Sequence, residues 1–391
     1  MNSTIPEKEL LKRAGRLKER LIENDIDIAL VQQNVDKFYF TGTFQDGVLL
    51  VPKDGEVTLF IRRSLERAKE ESPLHAIQGY KSFTEIHEYI KDHGFKVATI
   101  GLEMDVLPGF IYKKIESFFS DSSIVDISTV IRTLRSIKSS FEISKFIEAG
   151  KRLDRIFEHI KNEIKPDVTE FEIFRIFSSE LLKEGSCPFI RSRRFNVESL
   201  STYVMCGSSA NRHSMIDSPS AGGEGVSIAY PAGAGHKMLE NGEPIIIDTV
   251  FNFDGYNLDC TRIFAIGTLE KSFLEAHSVS ERCHDRFIEA VQGHSSIPQI
   301  YHDIEAIVEK EKLSAIFMGG VKFIGHGIGL ELDELPVLAE HYQGYVEEGM
   351  VVAFEPKFIF DAGTVGYETA YYIKDRKCIA LNKFSSAIQM V

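Results

Sequence analysis

Two hairpin patterns in the C-terminal part of the chain each carry a pair of acids inside apolar strands. That placement constrains the fold more than any other feature. The first pattern runs Ile245-Ile246-Ile247-Asp248 through the turn signal Asp254-Gly255 to Leu258-Asp259. Centring its loop between Phe253 and Asp254 sets Asp248 opposite Asp259. Opposed side chains in an antiparallel pair have Cβ atoms about 5 Å apart. Two buried carboxylates that close repel unless a cation or a shared proton lies between them. The second pattern runs Val351-Val352-Ala353-Phe354-Glu355 through Asp361-Ala362 to Gly366-Tyr367-Glu368, and centring it between Asp361 and Ala362 opposes Glu355 to Glu368. His326 adds a nitrogen, and Gly325 and Gly327 beside it let backbone approach a site closely.

Any one of these residues alone reads as a capping, solvated or structural group. Together, Asp248, Asp259, His326, Glu355 and Glu368 read as a metal site, because buried unpaired carboxylates are costly. Four acids and one imidazole suit two divalent ions, Mn²⁺, Fe²⁺, Co²⁺ or Zn²⁺.

Composition excludes several other classes. The net charge of −13 disfavours a nucleic-acid partner. Five scattered cysteines without a C-x-x-C pair read as reduced thiols. The N-terminal stretch lacks the apolar core of a signal peptide, and no apolar run is long enough to span a bilayer, so no membrane partner and a cytoplasmic location are expected.

A chain of 391 residues fits two domains. The first alternates helix and strand patterns: a helix over 9–24, a strand over 28–31, a hairpin over 46–61 about Pro52-Lys53-Asp54-Gly55, a helix over 83–91, a strand over 96–101 and a helix over 109–118. A short helix or connector over 128–138 follows, and the boundary falls within 126–138, giving domains of 1–130 and 131–391. The second domain reads as long helices over 140–164 and 169–184, Gly-rich loops and strands from 203 to 264, helices over 269–292 and 298–312, and a strand-rich end.

With these residues in place, the chain resembles the pita-bread metallopeptidases: prolidases, Xaa-Pro aminopeptidases, methionine aminopeptidases and creatinases. The strings that carry the resemblance are IIIDTVFNFDGYNLDCTRIF, IGHGIGLELDELP, GMVVAFEP and VGYETAYYI. VIRTLRSIK at 130–138 and IDIALVQQNVDKFYFTGT extend it to the long members with a creatinase/prolidase-type N-terminal domain. The resemblance implies an α/β (α+β) chain: an N-terminal α/β domain, then a pita-bread domain whose curved antiparallel sheet is flanked by helices. It also implies that Asp248 chelates one metal, that His326 and Glu355 chelate the other, and that Asp259 and Glu368 bridge them. A hydroxide between the metals would attack a peptide carbonyl, with Glu355 moving its proton. A homodimer is the common state of the long members.

The residues that handle substrate depart from that family. Tyr230-Pro231 stands where its peptidases carry a His-Tyr pair, Asp333 stands for a second His, Gly366 for an Arg and Lys322 for a further His. Stand-ins available in the sequence are His213 and His236 as catalytic groups, and Asp333 and Arg191 as substrate-binding groups. His236 reads equally as a surface-loop residue, the Arg191 cluster also reads as a solvated face, and Asp333 equally as a partner that orients a metal ligand. Three functions follow: an Xaa-Pro dipeptidase or aminopeptidase acting on small peptides, a non-peptidase enzyme acting on another small molecule, or a metal-free binding module. Retention of all five ligands ranks the last behind the others.

Overall fold

The computed structural model describes residues 4–214 and 222–391. Residues 215–221, inside the Gly-rich stretch expected over 203–264, lie outside the described set. The chain divides into two compact units, Met1–Arg135 and Ser136–Val391.

In the first unit, α1 (Glu7–Glu23) leads to β1 (Ile28–Val31), α2 (Asn34–Thr41) and the hairpin β2 (Gly47–Pro52) and β3 (Thr58–Ile61). Then come α3 (Leu65–Glu71), β4 (Ile77–Gly79), α4 (Phe83–Asp92), β5 (Thr99–Leu102), α5 (Gly109–Phe118), β6 (Ser123–Asp126) and α6 (Ser128–Ser136). The strands form one mixed sheet in the order β4-β3-β2-β1-β5-β6. Leu10, Ala14, Leu17 and Leu21 recur at helical spacing and are buried, which is why 7–23 forms an amphipathic helix. Sequence periodicity misses α2, α3, β4 and β6, because short elements of three to eight residues carry too few periods to register.

The second unit opens with α7 (Ser140–Ile160) and α8 (Glu170–Lys183). Each starts with a reciprocal capping box, Ser139 with Glu142 and Thr169 with Glu172. After β7 (Thr202–Cys206) come the long strands β8 (Pro244–Phe253) and β9 (Tyr256–Ala265), then α9 (Lys271–Gln292) and α10 (Ile297–Lys310). The remainder is β10 (Gly325–Gly327), β11 (Glu334–Val337), β12 (Val351–Phe354), β13 (Lys357–Phe360), β14 (Gly363–Gly366), β15 (Glu368–Lys374), β16 (Lys377–Ala380) and β17 (Gln389–Met390). The main sheet runs β11-β10-β12-β15-β9-β8-β7, with β16 on β15 and β17 on β9. Its ladders are antiparallel except at β17. One large core joins α9 and α10 to the sheet through Phe273, Phe287, Ile300, Val352, Phe354 and Phe358. Among the described residues, no helix is long and apolar enough to cross a membrane.

The register of the first acid-bearing hairpin differs from expectation. Asn252 pairs with Asn257 and Phe253 with Tyr256, so Asp254-Gly255 forms the central pair of the turn. Both have positive φ, 49° and 92°, the conformation of a two-residue hairpin turn, and Asp-Gly tolerates it. Asp248 therefore faces Thr261, and Asp259 faces Val250. The slip is an even number of residues, so Asp248 and Asp259 remain on one face as diagonal neighbours. The second hairpin keeps the expected register: Phe354 pairs with Thr369 and Lys357 with Gly366, which bracket Glu355 and Glu368.

Candidate metal centre

Sheet order and strand parity assemble the site. From β8 through β9 to β15, Asp248 pairs with Thr261 and Thr261 with Glu368. Glu355 follows β12 directly, and on the neighbouring strand His326 pairs with Ala353. Successive side chains on a strand alternate in face. The five expected ligands therefore share one face of one sheet, carried by β8, β9, β15, the end of β12 and β10. Asp259, His326, Glu355 and Glu368 are buried, at 7, 6, 4 and 1 % exposure. Asp248 sits at the margin.

His326 Nδ1 lies 3.0 Å from the Gly327 carbonyl, which can only accept, so Nδ1 carries the proton and Nε2 presents its lone pair. Nε2 is 3.9 Å from Asp259 Oδ2 and 3.9 Å from Glu355 Oε1. Asp333 Oδ1 lies 3.7 Å from Nδ1, the position of a group that orients the ring. Donor atoms of Asp259, His326 and Glu368 all fall within 4.8 Å of one another. Glu368 Oε1 is buried with no hydrogen-bond partner. That orphaned oxygen and the converging donors fit a divalent cation, and their oxygen-rich chemistry suits a hard or borderline ion.

Sequence reasoning missed Lys357. Its side chain is fully buried among the acids, with Nζ 2.8 Å from Glu368 Oε2, 3.0 Å from Glu355 Oε2 and 3.4 Å from Asp248 Oδ2. The signal was present in the spacing: Lys357 lies two residues after Glu355 and so points to the same face. Burial alone would push the Lys357 ammonium down, but Asp248, Glu355 and Glu368 hold it well above the usual lysine range. Burial raises the Asp259 carboxyl well above its usual range, and the charges of Glu368 and Asp248 add to that. Burial likewise pushes Glu355 up to about 7 against the pull of Lys357.

A supporting layer was also missed. Thr261 Oγ1 donates to Glu368 Oε2 at 3.0 Å. Arg262, 2 % exposed, donates to the carbonyls of Thr261, Glu368 and Phe384. His277 Nδ1 accepts from the Gly366 amide, and His284 stacks on Tyr367. These contacts hold the strand that carries Glu368. Tyr203 pairs with Asp248 across β7 and β8, and burial raises its phenol to about 12.

The proposed substrate-side residues are dispersed. His213 is exposed beside Gly319. His236 is exposed, with its ring 5.8 Å from Phe171 at the start of α8. Neither imidazole is hydrogen-bonded to the four acids or to His326. Arg191 is half-buried, and its carbonyl accepts from the Leu332 amide at 2.9 Å, next to Asp333. Gly366 has φ 108°, and a Cβ there would meet the Pro356 carbonyl oxygen at 2.4 Å, so backbone geometry explains why no arginine stands at this position.

Comparison with known proteins agrees with this geometry. The model of metallopeptidase family M24 matches residues 144–375, and that of the creatinase/prolidase N-terminal domain matches residues 13–137. An Xaa-Pro dipeptidase of Pyrococcus furiosus is 26 % identical over 378 residues, covering 95 % of this chain and 98 % of its own. Among solved structures, an Xaa-Pro dipeptidase from Bacillus anthracis superposes with a TM-score of 0.83 at 22 % identity, covering 98 % of this chain and 100 % of that one. An X-Pro aminopeptidase from Thermotoga maritima gives 0.79 at 22 % identity, covering 96 % and 100 %. The α/β architecture is thus the pita-bread fold with a creatinase-type N-terminal domain, and the chain belongs to metallopeptidase family M24.

Proposed function

We propose that this chain is a metal-dependent peptidase that hydrolyses short Xaa-Pro peptides. The observation that carries the reading is the convergence of Asp259, His326 and Glu368 donor atoms within 4.8 Å on a buried sheet face. The names of the relatives, Xaa-Pro dipeptidase and X-Pro aminopeptidase, support the substrate class. A bound divalent ion, which we take to be Mn²⁺, supplies activation of water and polarisation of a carbonyl. Asp259, His326, Glu355 and Glu368 would hold it. Glu355, whose carboxylate lies 3.9 Å from His326 Nε2, is the group we assign to take a proton from attacking water and return it to the leaving amine. Asp333 orients His326 and, half-exposed, also offers a counter-charge to a substrate ammonium. Arg191, whose backbone is tied beside Asp333, is the group we assign to a substrate carboxylate.

Purified protein loaded with Mn²⁺ should cleave members of a panel of Xaa-Pro dipeptides and Xaa-Pro-Xaa tripeptides, read by release of the amino-terminal residue. Absence of turnover across the whole panel overturns the reading. A second reading, hydrolysis of a non-peptide small molecule on the same centre, is favoured by Gly366, whose backbone leaves no side chain where the family's arginine would stand. Turnover in an unbiased metabolite screen, with none on peptides, would select it. A homodimer is the assembly we propose, to be read by sedimentation.

A further inference from the structure

Lys357 places a fixed positive charge inside the ligand cluster. We propose that its ammonium takes the place of one of the two cations, so that the centre binds a single divalent ion per chain. The proposal rests on the metal-dependent reading above, but its readout is the metal count and not catalysis.

The hydrogen-bond arithmetic is closed on the lysine side. An ammonium has three donors, and three carboxylate oxygens surround Nζ: Glu368 Oε2, Glu355 Oε2 and Asp248 Oδ2. Each of those three oxygens gives a lone pair to the ammonium, which occupies the space a second ion would need beside them. The second oxygen of each shared glutamate, Glu355 Oε1 and Glu368 Oε1, remains with Asp259 Oδ2 and His326 Nε2. That remainder of three oxygens and one nitrogen is the donor set of one ion. Asp248, expected to chelate its own metal, has Oδ2 turned to the ammonium instead.

Lys357 lies against the apolar core. It is fully buried and starts β13, where Gly366 opposes it, and the residues that follow on both strands, Phe358 and Val365, belong to the apolar core. A withdrawn ammonium would be buried without an acid, which is far costlier than its present position. Charge balance points the same way. Asp248, Asp259, Glu355 and Glu368 carry at most four negative charges. One divalent ion and the ammonium bring three positive charges, whereas two ions and the ammonium bring five into a site from which water is largely excluded.

The test is titration of metal-stripped full-length protein with Mn²⁺, followed by calorimetry and by electron paramagnetic resonance. The expected result is about one tight Mn²⁺ per chain, with the six-line spectrum of an isolated ion. Lys357→Met should take up about two, with a spin-coupled spectrum, and Lys357→Arg should remain at one. Two tight ions in the unmodified protein, or a folded Lys357→Met that stops at one, would overturn the proposal. If Lys357→Met does not fold, the stoichiometry and spectrum of the unmodified protein decide alone. A protein that binds one ion yet cleaves no peptide would sink the peptidase reading and leave this one standing. Binding of no Mn²⁺ would overturn both.

Discussion

Acidification should loosen the strand that carries Glu368 before it titrates ordinary carboxylates, through two histidines behind the site. His277 Nε2 lies 2.9 Å from the Ser386 carbonyl and must donate there, so Nδ1 accepts from the Gly366 amide at 3.3 Å. His284 Nε2 donates to the Tyr367 carbonyl at 3.2 Å, and Nδ1 accepts from the Tyr371 hydroxyl at 2.9 Å. Each ring uses one nitrogen as donor and one as acceptor, which only the neutral form can do. Burial drives His277 down to about 4 and His284 to about 3, from an ordinary 6.5. The folded values are depressed, so the unfolded chain binds more protons below pH 6.5. The stability contribution is therefore intact above 6.5 and is lost as pH falls toward the folded values.

At pH 5 each ring lies about 1.5 units below its unfolded value, which is about 2 kcal/mol each and about 4 kcal/mol for the pair. Hydrogen exchange of peptides spanning residues 366–373, corrected for intrinsic rates, reads the opening free energy of this region directly. The control is the double variant His277→Gln/His284→Gln, whose amides do not titrate. The gap in opening free energy between the unmodified protein and the double variant should narrow by about 4 kcal/mol between pH 7.5 and 5. A gap that stays constant over that interval would refute the assignment of neutral, doubly bonded rings.

Three further outcomes follow from the site. Thr261→Val removes the hydroxyl that donates to Glu368 Oε2 while preserving shape, and should weaken Mn²⁺ affinity about 10- to 100-fold by calorimetry, with little change in the thermal midpoint of the stripped protein. Gly366→Ala forces a side chain into φ 108° and against the Pro356 carbonyl, and should destabilise the fold by about 1–3 kcal/mol or more, seen as a lower unfolding midpoint. Removing metal with a chelator should lower that midpoint, since saturation at a hundredfold excess over Kd contributes about 2.7 kcal/mol. An unchanged midpoint on adding back Mn²⁺ would argue against a site in the folded core.

The long elements and the acids were legible in the sequence because each rests on a local rule. Leu10, Leu17 and Leu21 mark a helix by spacing alone, and Gly109–Phe118 is found with its expected ends. The five expected ligands are recognisable as a set because acids inside apolar strands demand a counter-charge, and strand parity sends them to one face for any even slip of register. That is why the slip at Asp254-Gly255 moved Asp248 opposite Thr261 without removing it from the site.

What the tertiary structure decided is non-local. Thr261 becomes a partner of Glu368 only because β9 pairs with β15 across more than a hundred residues of chain. His277 and His284 support Gly366 and Tyr367 only because α9 packs behind that turn of strand. His213 and His236, attractive in sequence, are exposed and unattached to the cluster, since nothing in a loop's composition fixes where it lands. Lys357 shows the division most sharply. Its spacing from Glu355 placed it on the ligand face, but only the convergence of Asp248, Glu355 and Glu368 from separate strands made its ammonium a resident cation, because Coulomb attraction depends on distance through space and not along the chain.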